Sequence, residues 1–184
     1  MSRLSVLAVL VSLLAASLVR AQEFPKLPAP QKEHEWLKQF VGEWETEAEA
    51  SMGPEEPAMK CKGTLSARML GGFWMVCESN GEAMGMQITA LLTIGYDPQT
   101  NKYVGTWVDS MINHMWKYEG TVDASGKILT LQAEGPNFMQ EGKLAKFRDV
   151  YEFKSNDQIA LSSQMQGEDG KWVTFMNGTA TRKK

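Results

Sequence analysis

Gly42-Glu43-Trp44-Glu45-Thr46-Glu47-Ala48-Glu49-Ala50 is the stretch that decides the fold. Its period is two. Glu43, Glu45, Glu47 and Glu49 alternate with Trp44, Thr46, Ala48 and Ala50, and alternate side chains of a strand point to opposite faces. The acids therefore make one wet face, and Trp44 with the small residues makes the covered one. Four carboxylates in a row raise the question of a metal site, but a strand with one solvated face reads the same way and needs no metal.

Toward the C-terminus the same period continues between closely spaced turn signals. These are Gly71-Gly72, Asn80-Gly81, Asp97-Pro98 through Asn101, Asp123 to Gly126, Gly135-Pro136, Asn156-Asp157 and Asp169-Gly170. The runs between them, such as Ile88 to Ile94, Tyr103 to Val108, Phe147 to Phe153 and Trp172 to Met176, predict about ten strands joined mostly as hairpins. No helical pattern separates them, which argues against parallel βαβ units. An antiparallel meander of this length must protect its edges, and closing into a barrel does so. A β-sandwich is the alternative.

Toward the N-terminus, Glu33 to Val41 places Trp36, Leu37, Phe40 and Val41 on one helical face, with Gly42 as the stop. This is the one helix the sequence predicts. Gln22 to Gln31 carries Pro25, Pro28 and Pro30 and reads as an extended leader. Before it, Arg3 precedes an apolar run from Leu4 to Val19 that ends at Val19-Arg20-Ala21, the pattern of a secretory signal peptide. The run is short for a membrane span, and no later segment is long and apolar enough for one. The expected organisation is a signal peptide over 1–21, a leader over 22–31 and one barrel domain over 32–184. Cleavage after Ala21 leaves 163 residues, enough for one real core. It removes Arg3 and Arg20 but no acid, so the formal net charge moves from −3 to −5. A mildly acidic chain without a Lys/Arg block lacks the electrostatic footprint of a nucleic-acid binder.

Gly42-Glu43-Trp44, opening the first strand after a short helix, resembles the G-x-W start of calycins, the superfamily of lipocalins and fatty-acid-binding proteins. In those barrels the tryptophan packs at the closed end against a basic residue of the last strand. The resemblance assigns that role to Arg182 and gives Gly42, Trp44 and Arg182 structural parts. Leu70-Gly71-Gly72-Phe73-Trp74, Gly95-Tyr96-Asp97, Trp107-Val108-Asp109-Ser110-Met111 and Glu119-Gly120 resemble the bacterial domain-of-unknown-function family 1579, from about Trp36 to Thr181. That resemblance implies a calycin-like, all-β antiparallel barrel, often exported from bacteria to the periplasm or beyond, with no catalytic residues to carry over.

The residues themselves argue poorly for catalysis. His34-Glu35 begins a zincin-like motif, but Lys38 stands where the second histidine belongs. No G-x-S-x-G elbow or phosphate-cradling glycine loop occurs. Two histidines leave few ways to build a His-based triad. Methionine is abundant, at twelve. Met111, His114 and Met115 raise soft copper as a reading, against the ordinary use of Met to fill irregular cores and adaptable pockets. The haem-holding nitrobindins, also calycin-like, make His114 the one candidate axial ligand, against its ordinary reading as a hydrogen-bonded strand histidine. The expectation is no cofactor and no metal.

What remains is a binding module for a small amphipathic or apolar ligand, or a structural or partner-binding protein whose barrel is filled by its own side chains. Parity supplies candidates for the first. Tyr103, Trp107 and Asp109 share a strand face around Gly105. Trp116 and Tyr118 on the next strand, Met84 and Met86, and His114 near the mouth extend the wall. Arg148 is the expected partner of Asp109, because an unpaired buried charge is costly. Cys61 and Cys77 flank the Gly71-Gly72 turn and are expected to form a disulfide if register allows, export permitting it. The pattern leaves the oligomeric state open. N-terminal sequencing of the exported fraction is expected to start at Gln22; mature protein in the cytosol that still begins at Met1 would contradict export.

Overall fold

The computed structural model describes residues 27–51, 57–83 and 85–184. The signal segment, half of the leader (22–26) and Met84 lie outside the described residues. A short helix, α1 (Lys32–Trp36), runs into a 3-10 turn over Leu37–Phe40. Ten strands follow: β1 (Gly42–Ala50), β2 (Met59–Leu70), β3 (Trp74–Ala83), β4 (Met86–Asp97), β5 (Lys102–Asp109), β6 (Trp116–Val122), β7 (Ile128–Pro136), β8 (Leu144–Ser155), β9 (Gln158–Gln166) and β10 (Trp172–Arg182). Each strand pairs antiparallel with the next, and β10 returns to β1 from Trp44↔Arg182 to Ala50↔Met176. The barrel is closed, as the sequence predicts, and the sandwich alternative falls away.

Register fixes which side chains enter the barrel. Trp44 lies opposite Leu65, Ala67 opposite Cys77, Leu92 opposite Trp107, Gly105 opposite Tyr118 and Leu131 opposite Asp149. These pairs share the inner face. On β1 the four glutamates face out, as expected, and Glu47 pairs with Lys62 at 2.8 Å.

α1 and the 3-10 turn lie across one end of the barrel. His34, Leu37 and Phe40 are buried, Trp36 is partly buried and Val41 is exposed at its margin. The expected stripe at 36, 37, 40 and 41 is thus displaced toward 34, 37 and 40. The reason is the switch to 3-10 geometry at Leu37, where three residues make a turn and residues three apart eclipse. Trp36 donates its indole N–H to the Gly126 carbonyl at 2.7 Å, and its ring meets Phe40, Tyr103 and Phe153 edge-on. Beneath the plug sit Trp44, Met75, Ile94, Leu129, Leu131 and Ile159, all fully buried. Side chains of this kind contribute about 1.5–3 kcal/mol each on full burial.

Arg182 locks this end. Its guanidinium lies 4.0 Å from the centre of the Trp44 ring. Nη2 donates to the Gln39 carbonyl at 3.0 Å, Nε to the Asn156 carbonyl at 2.9 Å, and Nη1 to the Val41 carbonyl. Gly42 makes room for it. With φ at +131°, a β-carbon there would come within 2.5 Å of Nη1, so only glycine serves both the backbone and the arginine.

The expected disulfide is not formed. Cys61 and Cys77 are both free. The hairpin pairs Lys62 with Glu82 and Ala67 with Cys77, which centres it at residue 72 rather than midway between the cysteines. Cys61 therefore lies six residues along β2 from the partner of Cys77, about 20 Å at strand rise, far beyond the roughly 7 Å limit for a bridge.

Replacing Arg182 by alanine removes the ring contact and strands three carbonyls. Chemical denaturation is expected to show a loss of about 2–4 kcal/mol. Arg182→Lys is expected to recover only part, since an ammonium cannot present the planar fork that reaches these carbonyls.

Candidate functional site

The two halves of the barrel differ. Inward side chains such as Trp44, Ile94 and Leu129 under the plug are buried, whereas others, from Leu65 beside Trp44 and Tyr151 beside Phe40 to those toward the other end, keep accessible surface. Leu65, Ser79, Ala90, Trp107, Tyr151 and Leu161 all point inward by register and are all half-buried. A side chain ringed by strands is reached by solvent only if the lumen has open space. Small residues widen it: Ala48, Cys61, Gly63 and Gly81 make up part of the β1–β2–β3 wall, and Gly178 continues it on β10.

Of the residues singled out from sequence, Trp107, Asp109 and Trp116 come together on the inner face of β5 and β6. Trp107 donates its indole N–H to Asp109 Oδ2 at 2.9 Å. Asp109 Oδ1 accepts from the backbone N–H groups of Met111 at 2.7 Å and Ile112 at 3.1 Å, which fixes the β5–β6 loop. Trp116 stacks edge-on to Phe147 and His114. It is seated on Gly135, where a β-carbon would come within 2.3 Å of the ring. His114 Nε2 is buried without a hydrogen-bond partner.

Tyr103 is inward but belongs to the plugged end. It is buried between Trp36 and Tyr96, and its hydroxyl donates to the Glu33 carbonyl at 3.2 Å. It is core rather than lumen wall. Met86 shares the inward parity but stands exposed at the rim, and Met84 falls outside the described residues. Arg148 corrects the expectation for Asp109. Its neighbours across the sheet are Gln132 and Gln164, so it faces out. There it covers the Trp172 ring at 4.4 Å and donates to Gln164. Strand parity excludes it from the lumen, and Asp109 is satisfied by an indole and two amides.

Sequence reading missed the polar group at depth. Asp149 on β8 accepts hydrogen bonds from the Tyr118 hydroxyl and, at 2.5 Å, from Ser163 Oγ. Tyr151 lies next along the same inward row. Burial pushes the Asp149 carboxyl above its ordinary range, opposed by the two hydroxyl donors. Burial, and then the nearby Asp149 charge, pushes both the Tyr118 and Tyr151 hydroxyls well up. Burial also raises the Cys77 thiol to about 12, so Cys77 stays a protonated wall residue. The signal for Asp149 was present: in Phe147, Asp149, Tyr151 and Phe153 the odd positions are aromatic except for one acid.

The mouth carries an apolar rim. Met111, Ile112 and Met115 on the β5–β6 loop, Phe138 and Met139 on the β7–β8 loop, and Met86 are exposed around it. By contrast, a shallow hollow of about 490 Å³ on the outer face of β10, β1 and β2 is lined by Glu47, Glu49, Lys60 and Lys62 among others. It is a solvated sheet face on which Glu47 and Lys62 pair with each other, and the lumen is the better site on chemical grounds. No three or more His, Cys, Asp or Glu side chains converge as a metal site among the described residues.

The family model for a protein of unknown function, DUF1579, matches residues 29–182. The chain belongs to this family. No curated protein matches it by sequence. Among solved structures, it is similar to the S-type phycobiliprotein lyase CPES from Guillardia theta, at 15% identity and a TM-score of 0.54, covering 84% of this chain and 99% of the lyase. It is also similar to Rv2717c from M. tuberculosis, at 11% identity and a TM-score of 0.61, covering 85% of this chain and all of that one. At these identities the likeness is one of fold. Within the DUF1579 barrel, no helix among the described residues is long and apolar enough to cross a membrane.

The raised Asp149 carboxyl has a thermodynamic sign. The folded state takes up its proton at higher pH than the unfolded chain does. Its contribution to stability is therefore greatest at low pH and is lost as pH rises through the folded-state value. Asp149→Asn lacks this titration. Chemical denaturation from about pH 8 down to about pH 4, the ordinary aspartate value, is expected to show the wild type gaining on Asp149→Asn as pH falls.

Proposed function

We propose that this DUF1579 protein is an exported bacterial binding protein, periplasmic or secreted, whose barrel holds a small amphipathic ligand without covalent chemistry. The observation that carries the reading is the accessible surface kept by inward-facing Trp107, Tyr151, Leu65 and Leu161. Enclosed wall of this kind, mostly apolar with a few converging polar groups, is the usual composition of a small-molecule site. The plugged end is packed solid, so the ligand enters from the rim of Met and Phe side chains and occupies the open half. Asp149, Tyr118 and Ser163 supply polar partners at the floor, and Trp107 and Trp116 supply apolar wall. Methionine and phenylalanine at the mouth suit a ligand with an apolar part, because they adapt their shape and shed water readily. The signal-peptide pattern before Gln22 supports export, and the resemblance to a bacterial family supports a bacterial host.

Intrinsic tryptophan fluorescence titrated with fatty acids, fatty amines, retinoids, haem and other small apolar compounds tests the reading. At least one class is expected to perturb the wild-type signal in a saturable way. Trp107→Ala is expected to fold, by circular dichroism, and to lose about tenfold or more in affinity for that class. If no class perturbs the signal and an experimental structure shows the lumen filled by side chains, the barrel is structural or binds a partner by its surface.

A further inference from the structure

Among the described residues, the open half of the lumen carries two carboxylates and no Lys or Arg, with His114 at its margin against Trp116. Register places Asp109 and Asp149 on the inner face. Every other Lys and Arg on the strands points outward, and Arg182 alone points in. Arg182 is engaged at the plugged end by the Trp44 ring and three carbonyls, so it does not reach into the open half. Asp109 spends its oxygens on the Trp107 indole and two loop amides. Asp149 is different. It lies at depth with two neutral hydroxyl donors, from Tyr118 and Ser163, and none of the ion pairs among the described residues includes it. A carboxylate has about four acceptor positions. Two hydroxyls leave capacity for a further donor or for a positive charge.

The groups that face Asp149 sharpen the selection. They are the Tyr118 and Ser163 hydroxyls, the Tyr151 ring and hydroxyl one step along β8, and, farther toward the mouth, the Asp109 carboxyl. An anion brought here meets two carboxylates and no Lys or Arg. A neutral head group leaves Asp149 uncompensated. A cation relieves the enclosed charge and meets the aromatic faces of Tyr118, Tyr151 and Trp107, which attract cations through the ring quadrupole. We infer that the lumen selects amphipathic organic cations, with an ammonium or quaternary ammonium head set against Asp149 and an apolar tail running past Trp107 and Trp116 to the methionine rim. This rests on the ligand-binding reading above and names the ligand class for that site. Such a head group also explains why a barrel retains a buried acid that an apolar or amide side chain of similar size would replace at less cost.

Calorimetric titration with four probes that share one tail and differ only in the head tests the inference: decyltrimethylammonium, decylamine, decanol and decanoate, each below its micelle concentration. The expected result is one site per barrel. Both cations bind at least about tenfold tighter than decanol, and decanoate binds weakest. Asp149→Asn is expected to bring the cations down to the affinity of decanol while leaving decanol itself unchanged. Ser163→Ala, which removes one donor but keeps the acid, is expected to retain the preference and serves if Asp149→Asn does not fold. Decanol or decanoate binding as tightly as the cations overturns the cation inference and leaves the ligand-binding reading standing. Loss of the preference in Asp109→Asn but not in Asp149→Asn overturns the assignment to Asp149. No heat of binding from any of the four overturns both the inference and the reading beneath it.

Discussion

One guanidinium fastens this barrel. Arg182 ends the last strand, lies on the Trp44 ring of the first, and ties the carbonyls of Gln39 and Val41 to that of Asn156. It therefore joins the two strands that close the sheet, the helical plug that covers one end and the β8–β9 turn beside it. A closed sheet has no edge to protect, but closure alone leaves two open ends. The arginine decides which end is sealed, because its hydrogen bonds bring the end of the 3-10 turn down over Trp44. Gly42 is the condition for this arrangement, since any side chain there would take the space of Nη1.

The asymmetry of the interior follows from that fastening. Below the plug, Leu37, Phe40 and Trp36 descend among Trp44, Tyr103 and Phe153 and fill the space. At the far end no helix lies across the barrel among the described residues, Phe138 of the β7–β8 loop packs on Phe147 and Phe175, and the wall on the side of β1, β2 and β3 is built largely from alanine, glycine, serine and cysteine. The aromatic bulk is concentrated opposite, on β5, β6 and β8, with Trp116 held in place by Gly135 and Phe147. Large against small across a barrel produces a lumen rather than a core when the small side is not compensated by longer side chains from the other. Solvent-accessible surface on Tyr151 and Leu161, well inside the ring of strands, is the result.

Much of this was legible in the sequence because strand parity is a strict code. The period of two from Gly42 to Ala50 gave the wet and covered faces of β1, and the turn residues gave ten strands in hairpin order. Parity also put Trp107, Asp109 and Trp116 on one inner face. Parity within a strand carries over to the structure, and so does the Trp44–Arg182 contact that the calycin resemblance implies, whereas the two other expected contacts between strands do not form. Cys61 and Cys77 failed because the hairpin centre lies three residues from their midpoint, a quantity set by the turn and not by composition. Arg148 does not meet Asp109 because it stands at the parity opposite to Phe147, Asp149, Tyr151 and Phe153 on β8 and so faces out. The helix shifted its buried stripe because 3-10 geometry, set by packing against the barrel, replaced the α-helical period. Tyr103 was assigned to the right face at the wrong depth, since parity carries no information on distance from the plug.

Asp149 makes the last connection between fold and role. A carboxyl whose charged form is disfavoured by burial works against folding at neutral pH, and the two hydroxyls that support it recover only part of that cost. The same position lies between Leu131 and Ser163 in the sheet, in a row where valine, threonine or asparagine would fit without a buried charge. Side chains that oppose stability cluster where a protein recognises something, because the groups that would satisfy them come from outside. Here the donors from the chain itself are both neutral, and aromatic side chains, Tyr118 and Tyr151, stand beside the acid. On the proposed reading, the acid and the half-buried inner wall belong together: a cationic ligand would supply the charge that Asp149 lacks within the chain.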